Sequence, residues 1–254
     1  HWERLEPCLP PAKPGGRPRS VELREVVNAI LYLERSGCAW RMLPHDFPAW
    51  QTVYTYFRNW KRDGTWDQLH DTFHRALRLL SGRDEEPSAA ILDSQSVKNA
   101  GKAEEKGFDA GKKISGRKRH LLVDTLGLII AVTVHSAGIQ DYHGAQPLLR
   151  KARETAWRLQ HIWADSIYRH VVEWTREHCG WNLEIVSRPP DATGFQVVQR
   201  RWVVERTFGW LGRYRRHSKD YETLVESSEA HIKIAMTHLM LRRITRKQMK
   251  WATN

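Results

Sequence analysis

At Pro87 the periodicity of the sequence changes, and no other feature limits the fold so tightly. Before it, apolar residues recur at three- and four-residue intervals; after it come short β-branched runs separated by helical stretches. AAILDS (89–94), RHLLVDT (119–125) and LIIAVTVH (128–135) have the length and composition of strands, and Leu126-Gly127 between the last two signals a tight hairpin. A helix over 142–158 follows, then the strand HIWADS (161–166), a helix over 167–178, the strand NLEIVS (182–187) and a helix over 199–211. The order βββαβαβα implies an α/β layer, a mixed sheet with helices packed on it. A long final helix over 226–246, carrying Ile232, Ile234, Ala235, Leu239 and Leu241, covers or extends that layer. No internal repeat is visible.

Upstream of the change, the segment to about residue 18 is rich in Pro and Gly (PCLPPAKPGGRP) and reads as an irregular arm. Ser20 looks like the N-cap of a helix whose stripe of Val21, Val26, Val27, Ile30, Leu31 and Leu33 stops at Gly37. Two more helices, over 51–62 and 65–80, are separated by the turn Asp63-Gly64. With 12 basic and 9 acidic residues over positions 1–80, this part suits a helix-turn-helix-like DNA-binding module and a plain helical bundle equally. The expected division is an arm and helical module over 1–86 and an α/β domain with a C-terminal helix and basic tail over 87–254. Trp40, Trp50, Trp60 and Trp66 read as packing residues rather than base-stacking platforms. His70 and His74, at i and i+4 with no accompanying Glu or Cys, read as a helix-surface pair rather than zinc ligands.

The 254 residues carry 41 Lys+Arg against 29 Asp+Glu, a formal charge of +12, so an anionic partner is expected. The 41% hydrophobic content is enough for a core and excludes wholesale disorder. No apolar run approaches the ~20 residues of a membrane span, and the start HWERLEPCLPP has no charged-then-apolar signal region. Cys8, Cys38 and Cys179 are isolated, against both a disulfide framework and a zinc ribbon. A cytoplasmic protein with reduced thiols is the expectation, and a first residue of His suggests that the chain begins inside a longer reading frame. The excess charge lies in three blocks: Lys98 with Lys102, Lys106, Lys112, Lys113, Arg117, Lys118 and Arg119; seven basic residues against Glu205 alone over 200–219; and an acid-free tail over 242–250. Aromatics and glycines interleave with them, as in GWLGRYRRH (209–217), which suits contact with phosphates and sugars. The glycine-punctuated block over 111–119 is not a membrane-surface helix, and nucleic acid is the favoured partner.

Three acids stand where acids are unexpected. Asp93 ends the run AAIL and Asp165 ends the run HIWA, both at the C-terminal ends of expected strands, where open α/β sheets place their ligand crevice. Glu205 lies on a helix whose Val204, Phe208 and Leu211 form a separate core stripe, so it points off that stripe. Taken singly, each acid has an ordinary reading: a turn cap for either Asp, and a surface pair with Arg201 for Glu205. Taken together within this element order, they can converge in a basic groove. Like charges that close do not all ionise without cations, and oxygen-only ligands suit Mg²⁺, with Mn²⁺ able to substitute. Two such ions serve phosphodiester chemistry.

With these residues in view, the sequence resembles the DDE transposases of bacterial insertion sequences, in the compact group with a ribonuclease H-like catalytic domain. The resemblance runs from about residue 2 to 244 and is most specific in LDSQSVK (92–98), KKISGRKRHLLVDTLGLI (112–129), WADSIY (163–168) and RRWVVERTFGWLGRYRRHSKDYE (200–222). It puts Asp93, Asp165 and Glu205 on the family's catalytic, metal-binding acids, with 71 residues between the first two and 39 between the last two. The second gap leaves no room for the large β insertion of some related transposases. The family's Arg four residues before the Glu is Arg201. A Tyr three before that and a Lys seven after the Glu are replaced by Val198 and Gly212, with Arg213 as the substitute cation. Where similar proteins carry a Gly pair after the second Asp, Ser166 and Ile167 stand.

The resemblance implies binding to the terminal inverted repeats of an insertion sequence, hydrolytic nicking that exposes a 3′-hydroxyl, and attack of that hydroxyl on target DNA at the same two-metal site. Lys98, Lys112, Lys113, Arg117, Lys118, Arg119, Arg201, Arg213, Arg215 and Arg216 are the expected DNA contacts. A homodimer or higher assembly on double-stranded DNA and a nucleoid location are implied as well. Two alternatives stay open: a non-catalytic DNA-binding derivative acting as a regulator, and a general nuclease on the same fold.

Overall fold

The computed structural model describes residues 1–12, 15, 19–187 and 200–252, with side chains to residue 246. Helices α1 (Trp2–Leu5), α2 (Leu23–Ser36), α3 (Trp50–Arg62) and α4 (Thr65–Leu79) come first. Strands β1 (Ala89–Lys98), β2 (Gly107–Asp109), β3 (Ile114–Asp124) and β4 (Ile129–Ser136) follow. Then α5 (Asp141–Arg153), β5 (His161–Ala164), α6 (Val172–Cys179), β6 (Asn182–Ile185), α7 (Trp202–Leu211) and α8 (Val225–Ala252) complete the chain. The mixed α/β sheet with flanking helices and an N-terminal helical region is therefore as the sequence implies.

The sheet runs β4-β3-β1-β5-β6, with β2 beside the end of β3 beyond β4. Pairing among β4, β3 and β1 is antiparallel, and β1-β5 and β5-β6 are parallel. Alternation along β1 sorts the two faces. Ala90 and Leu92 join Leu148, Leu149, Ile162 and Tyr168 under α5 and α6. Ile91 joins Leu121, Val123, Val204 and the apolar side of α8 on the opposite face. The core on that second face continues into Val26, Ile30, Leu33, Phe57, Leu69 and Phe73 of the N-terminal helices, so apolar packing crosses the expected 86/87 boundary without a break. Helix α8 lies between the two layers, and its buried residues span much of its circumference.

Buried charge fixes this docking. Asp124 at the β3–β4 turn accepts hydrogen bonds from Leu126 N–H and Leu128 N–H, both 2.9 Å, and from Arg78 of α4, with His74 Nε2 at 3.5 Å. Gly127 in that turn has φ +81°, the left-handed conformation the hairpin requires. A second cluster joins α2 to α8: Glu34, wholly buried, bonds His231, with His217 Nε2 at 3.3 Å, and Glu222 binds Arg216 and lies 3.4 Å from His231. Gly37 ends α2 at φ +69°, and a Cβ there would lie 3.1 Å from the Arg215 backbone, so both the turn and the close approach require glycine.

Several expectations need correction. The first residues are not an irregular arm: α1 and a 3₁₀ turn over Glu6–Cys8 bury Leu5 and Leu9 against the core, while residues 13–14 and 16–18 of that segment lie outside the described residues. The cap of α2 is Glu22, not Ser20. His70 and His74 are buried, not surface residues, because α4 is covered by α8 and the β3–β4 turn. Strand β3 begins at Ile114 and β1 continues to Lys98, forming an antiparallel arm with β2 that the apolar runs alone do not announce. The helix after β5 starts as a 3₁₀ turn over Ser166–Val171.

Burial pulls the His231 imidazolium down, and the Glu222 and Glu34 carboxylates overcome it, raising its pKa to about 9. A raised His contributes stability that is complete below its unfolded value near 6.5 and is lost as pH rises through the folded value. The melting temperature is therefore expected to fall between about pH 6.5 and 9. The His231→Gln variant, less stable overall, should lack that slope in a pH series of thermal melts; an unchanged slope would assign the effect elsewhere.

Candidate active site

Strands β1 and β5 are in parallel register from Ala89↔His161 to Leu92↔Ala164, where β5 stops. β1 continues against β3, and its next residue, Asp93, faces Leu121. Asp93 thus lies in the middle of β1, not at a strand end as the sequence suggests, yet at the point where the parallel layer opens. Alternation sets it on the Ile91 face, the one α7 covers. Asp165 follows β5 directly and caps the 3₁₀ turn, its Oδ1 accepting Ile167 N–H at 2.6 Å. Helix α7 is anchored by Thr207 Oγ1 donating to Gly127 O (2.7 Å) and Arg206 Nη2 to Leu126 O (2.9 Å). Its first turn presents Glu205, whose side chain is 57% exposed.

Arg201, just before α7, holds this group together. Its Nη2 is 3.6 Å from Asp165 Oδ2 and 3.5 Å from Glu205 Oε1. The surface pair with Glu205 is therefore real, and the same guanidinium also serves Asp165. Burial pushes the Asp93 carboxyl up to about 6, with nearby Asp165 adding to the rise and Ser94 N–H and the Arg201 and Lys112 cations opposing it.

Beneath Asp93 lies a polar floor that sequence reasoning missed. Ser94 Oγ donates to Asp141 at the start of α5, and Lys118 Nζ donates to Asp141 Oδ2 (3.1 Å) with Asp109 Oδ2 at 3.6 Å. His120 lies 3.5 Å from Asp141. Burial lowers the His120 pKa to about 4, against the pull of Asp141, so it is neutral at physiological pH. Tyr168, fully buried beside Ser94, has its pKa raised well above the ordinary phenol value by burial and by the Asp93 charge. The Asp-x-x-Tyr spacing of DSIY was the one available sign of it.

The expected DNA contacts divide. Lys98, Lys112, Lys113, Arg213 and Arg215 are exposed, and Lys112 Nζ reaches Ser94 O (3.4 Å) beside the acids. Arg117, Lys118, Arg119 and Arg216 are buried and committed to protein groups. Arg117 binds Asp220 (3.2 Å), Thr223 O (2.6 Å) and Glu222 O (2.9 Å); Arg119 binds His217 O and Lys219 O (2.9 and 3.0 Å). Arg216 binds Cys38 O (3.0 Å) and Glu222. For Arg117 and Arg119 the physical reason is that the segment after α7 brings carbonyls that need donors to β3, and guanidinium supplies five. Val198 lies outside the described residues, as do the side chains of Lys247 and Lys250.

Among the described residues no three His, Cys, Asp or Glu side chains are gathered closely enough to hold a metal ion as they stand. The donor chemistry nevertheless fits a hard divalent cation. The acids offer only oxygens, one oxygen of Asp165 and one of Glu205 face no described cation but Arg201, and the buried Asp93 charge is under-compensated. Arg201 occupies the space between Asp165 and Glu205.

Known proteins match the chain in both halves. The transposase DDE domain model matches residues 84–240, and the model of the IS4/5-family transposases designated DUF4096 matches residues 1–70. The uncharacterized 16.2 kDa protein of insertion element IS402 from Burkholderia cepacia is 31% identical over 112 residues, 42% of this chain and 75% of that protein. The DDE domain is ribonuclease H-like, in keeping with the sheet order.

An ionised carboxylate whose pKa is raised costs folding stability, and the cost grows as pH climbs from the ordinary value near 4 to about 6. Asp93→Asn should therefore melt higher than the wild type at pH 7.5 in a chelator, at about 2–4 °C per kcal/mol for a chain of this size, and equally at pH 4. A lower melting temperature at pH 7.5 would contradict the burial argument.

Proposed function

The chain belongs to the DDE-domain transposases, and on that premise we propose that it binds the terminal inverted repeats of its insertion sequence, nicks the DNA at the element ends and transfers the 3′ end to target DNA. The observation that carries this reading is the placement of Asp93 and Asp165 side by side where β5 ends, with Arg201 linking Asp165 to Glu205. Asp93, Asp165 and Glu205 would hold two Mg²⁺ ions, or Mn²⁺ in their place. Bound there, such ions activate an attacking oxygen and stabilise a leaving one.

The chain's own residues account for the rest. Asp93, held in β1 by its pairing with β3 just past the end of β5, is the rigid member; Glu205 on an exposed helical turn is the adjustable one. Arg201 neutralises the acids in the DNA-free protein and turns to a phosphate oxygen when cations and DNA arrive. Lys112, at the mouth of the site on the β2–β3 turn, holds a neighbouring phosphate, with Lys98, Lys113, Arg213 and Arg215 extending the track. The floor of Ser94, Asp141 and Lys118 keeps β1 from shifting, and Tyr168 closes the site from behind, excluding water from the buried side of Asp93. Water attacks in the nicking step and the liberated 3′-hydroxyl in the joining step.

Two ends must be joined, so the working form is a homodimer or larger on double-stranded DNA, within the bacterial cytoplasm. No described helix is long and apolar enough to cross a membrane. A role as a DNA-binding regulator alone leaves the burial cost of Asp93 without a purpose.

Glu205→Gln should bind DNA carrying the element's inverted repeats as the wild type does, in Mg²⁺ and in Ca²⁺, yet fail to nick or join it in Mg²⁺. Nicking retained by the variant in a gel assay would remove Glu205 from the site.

A further inference from the structure

Helix α3 is amphipathic in an uncommon way: its inner side is ordinary and its outer side is polar without a single acid. Val53, Phe57 and Trp60 are buried against the neighbouring helices. At 100° per residue, Gln51, Thr55, Arg58, Asn59 and Arg62 fall within one narrow arc opposite them, and all five are exposed. Among the described residues the side chains of Gln51, Arg58, Asn59 and Arg62 make no hydrogen bond, ion pair or ring contact. These are the side chains that match base edges in the major groove, Arg to guanine and Asn or Gln to adenine. Arg41 stacks on Trp50, 4.9 Å from its ring, and sets a further cation at the start of the helix.

The neighbouring helices lack this character. In the usual helix-turn-helix order α4, which follows the tight turn at Asp63-Gly64, would be the reading helix. Its exposed side instead carries Asp67, paired with Lys233, and Asp71, beside His70, and its other side is buried under α8. Helix α2 commits Asn28 to Glu25 and Arg35 to the Arg213 carbonyl. The free, acid-free outer face is complementary to DNA in charge and in hydrogen-bonding pattern.

We propose that α3 is the sequence-reading helix, lying in the major groove of the element's terminal repeat with Gln51, Thr55, Arg58 and Asn59 at base edges and Arg62 and Arg41 at phosphates. This rests on the reading of the chain as an end-binding transposase and assigns end selection to a surface separate from the three acids. The rigid docking of the N-terminal helices through Glu34 and Asp124 means that seating α3 on the repeat also orients the acids relative to it.

The test uses the full chain. Wild type, Arg58→Ala/Asn59→Ala and a control, Gln68→Ala/Thr72→Ala on α4, are compared for binding to a duplex of the element's terminal repeat and to a scrambled duplex at one fixed salt concentration. Thermal melts check folding. The α3 variant should lose its preference for the repeat by about tenfold or more, keep salt-dependent binding to scrambled DNA, and melt within a degree or two of the wild type. The control should behave as wild type. Unchanged preference in the α3 variant, with the wild type selecting repeats, overturns this assignment alone. A wild type that neither prefers the repeat nor nicks it overturns the underlying reading as well.

Discussion

The parallel pairing of β1 with β5, and its early end, is the constraint on which the rest depends. β5 has only four residues and β1 has ten. Four residues of shared register give the sheet a buried centre in Ala90, Ile91, Leu92, Ile162 and Ala164. The remainder of β1 leaves that layer and pairs with β3 as an arm. The opening between them is where Asp93 and Asp165 meet, and α7, anchored to the β3–β4 turn, brings Arg201 and Glu205 to the same place. A longer β5 would close the opening with backbone hydrogen bonds, and a shorter one would release Asp165 from its cap on the 3₁₀ turn.

Charge is divided according to burial. A chain with a net charge of +12 would be expected to show its cations to solvent, yet Arg117, Lys118, Arg119 and Arg216 are inside, each bonded to carbonyls or carboxylates. Arg117 and Arg119 bind the segment between α7 and α8 onto β3, Arg216 ties that segment to the end of α2, and Lys118 ties β3 to the start of α5. Together with Glu34–His231 and Arg78–Asp124, they join helical layer and sheet through polar contacts with directional geometry as well as through the shared apolar core. Because breaking a buried charged pair is costly, these layers move as one body. Of the exposed cations, Lys112 lies beside the acids, and Lys98 and Lys113 share its arm.

Apolar patterning made the core of the fold legible: the strands at 89–94, 119–125, 128–135, 161–166 and 182–187 and helices α2, α3 and α4 all form, with ends shifted by a few residues. The arm was not legible, because Arg117, Lys118 and Arg119 look like a solvated charge run until the carbonyls that receive them are seen in space. α1 was hidden by the prolines that follow it, since burial of Leu5 and Leu9 overrides local composition. In the site, Asp93, Asp165 and Glu205 stood out from the sequence because each breaks a pattern, while Arg201 entered as the surface partner of Glu205 and through the family resemblance. Asp141 and Lys118 did not, since an acid before a helix and a Lys within a basic block are both ordinary. Their partnership spans a hairpin and is set only by the sheet register.

The central claim is that Asp93, Asp165 and Glu205 together form one divalent-cation site. It is tested most directly by replacing Mg²⁺ with Fe²⁺ in the free protein, adding ascorbate, and mapping where locally generated hydroxyl radicals cut the chain. Cuts are expected to cluster around residues 93, 165 and 205, to be suppressed by excess Mg²⁺ and to be lost in Asp93→Asn. Cuts confined to other segments, or a pattern unchanged by that substitution, would contradict it.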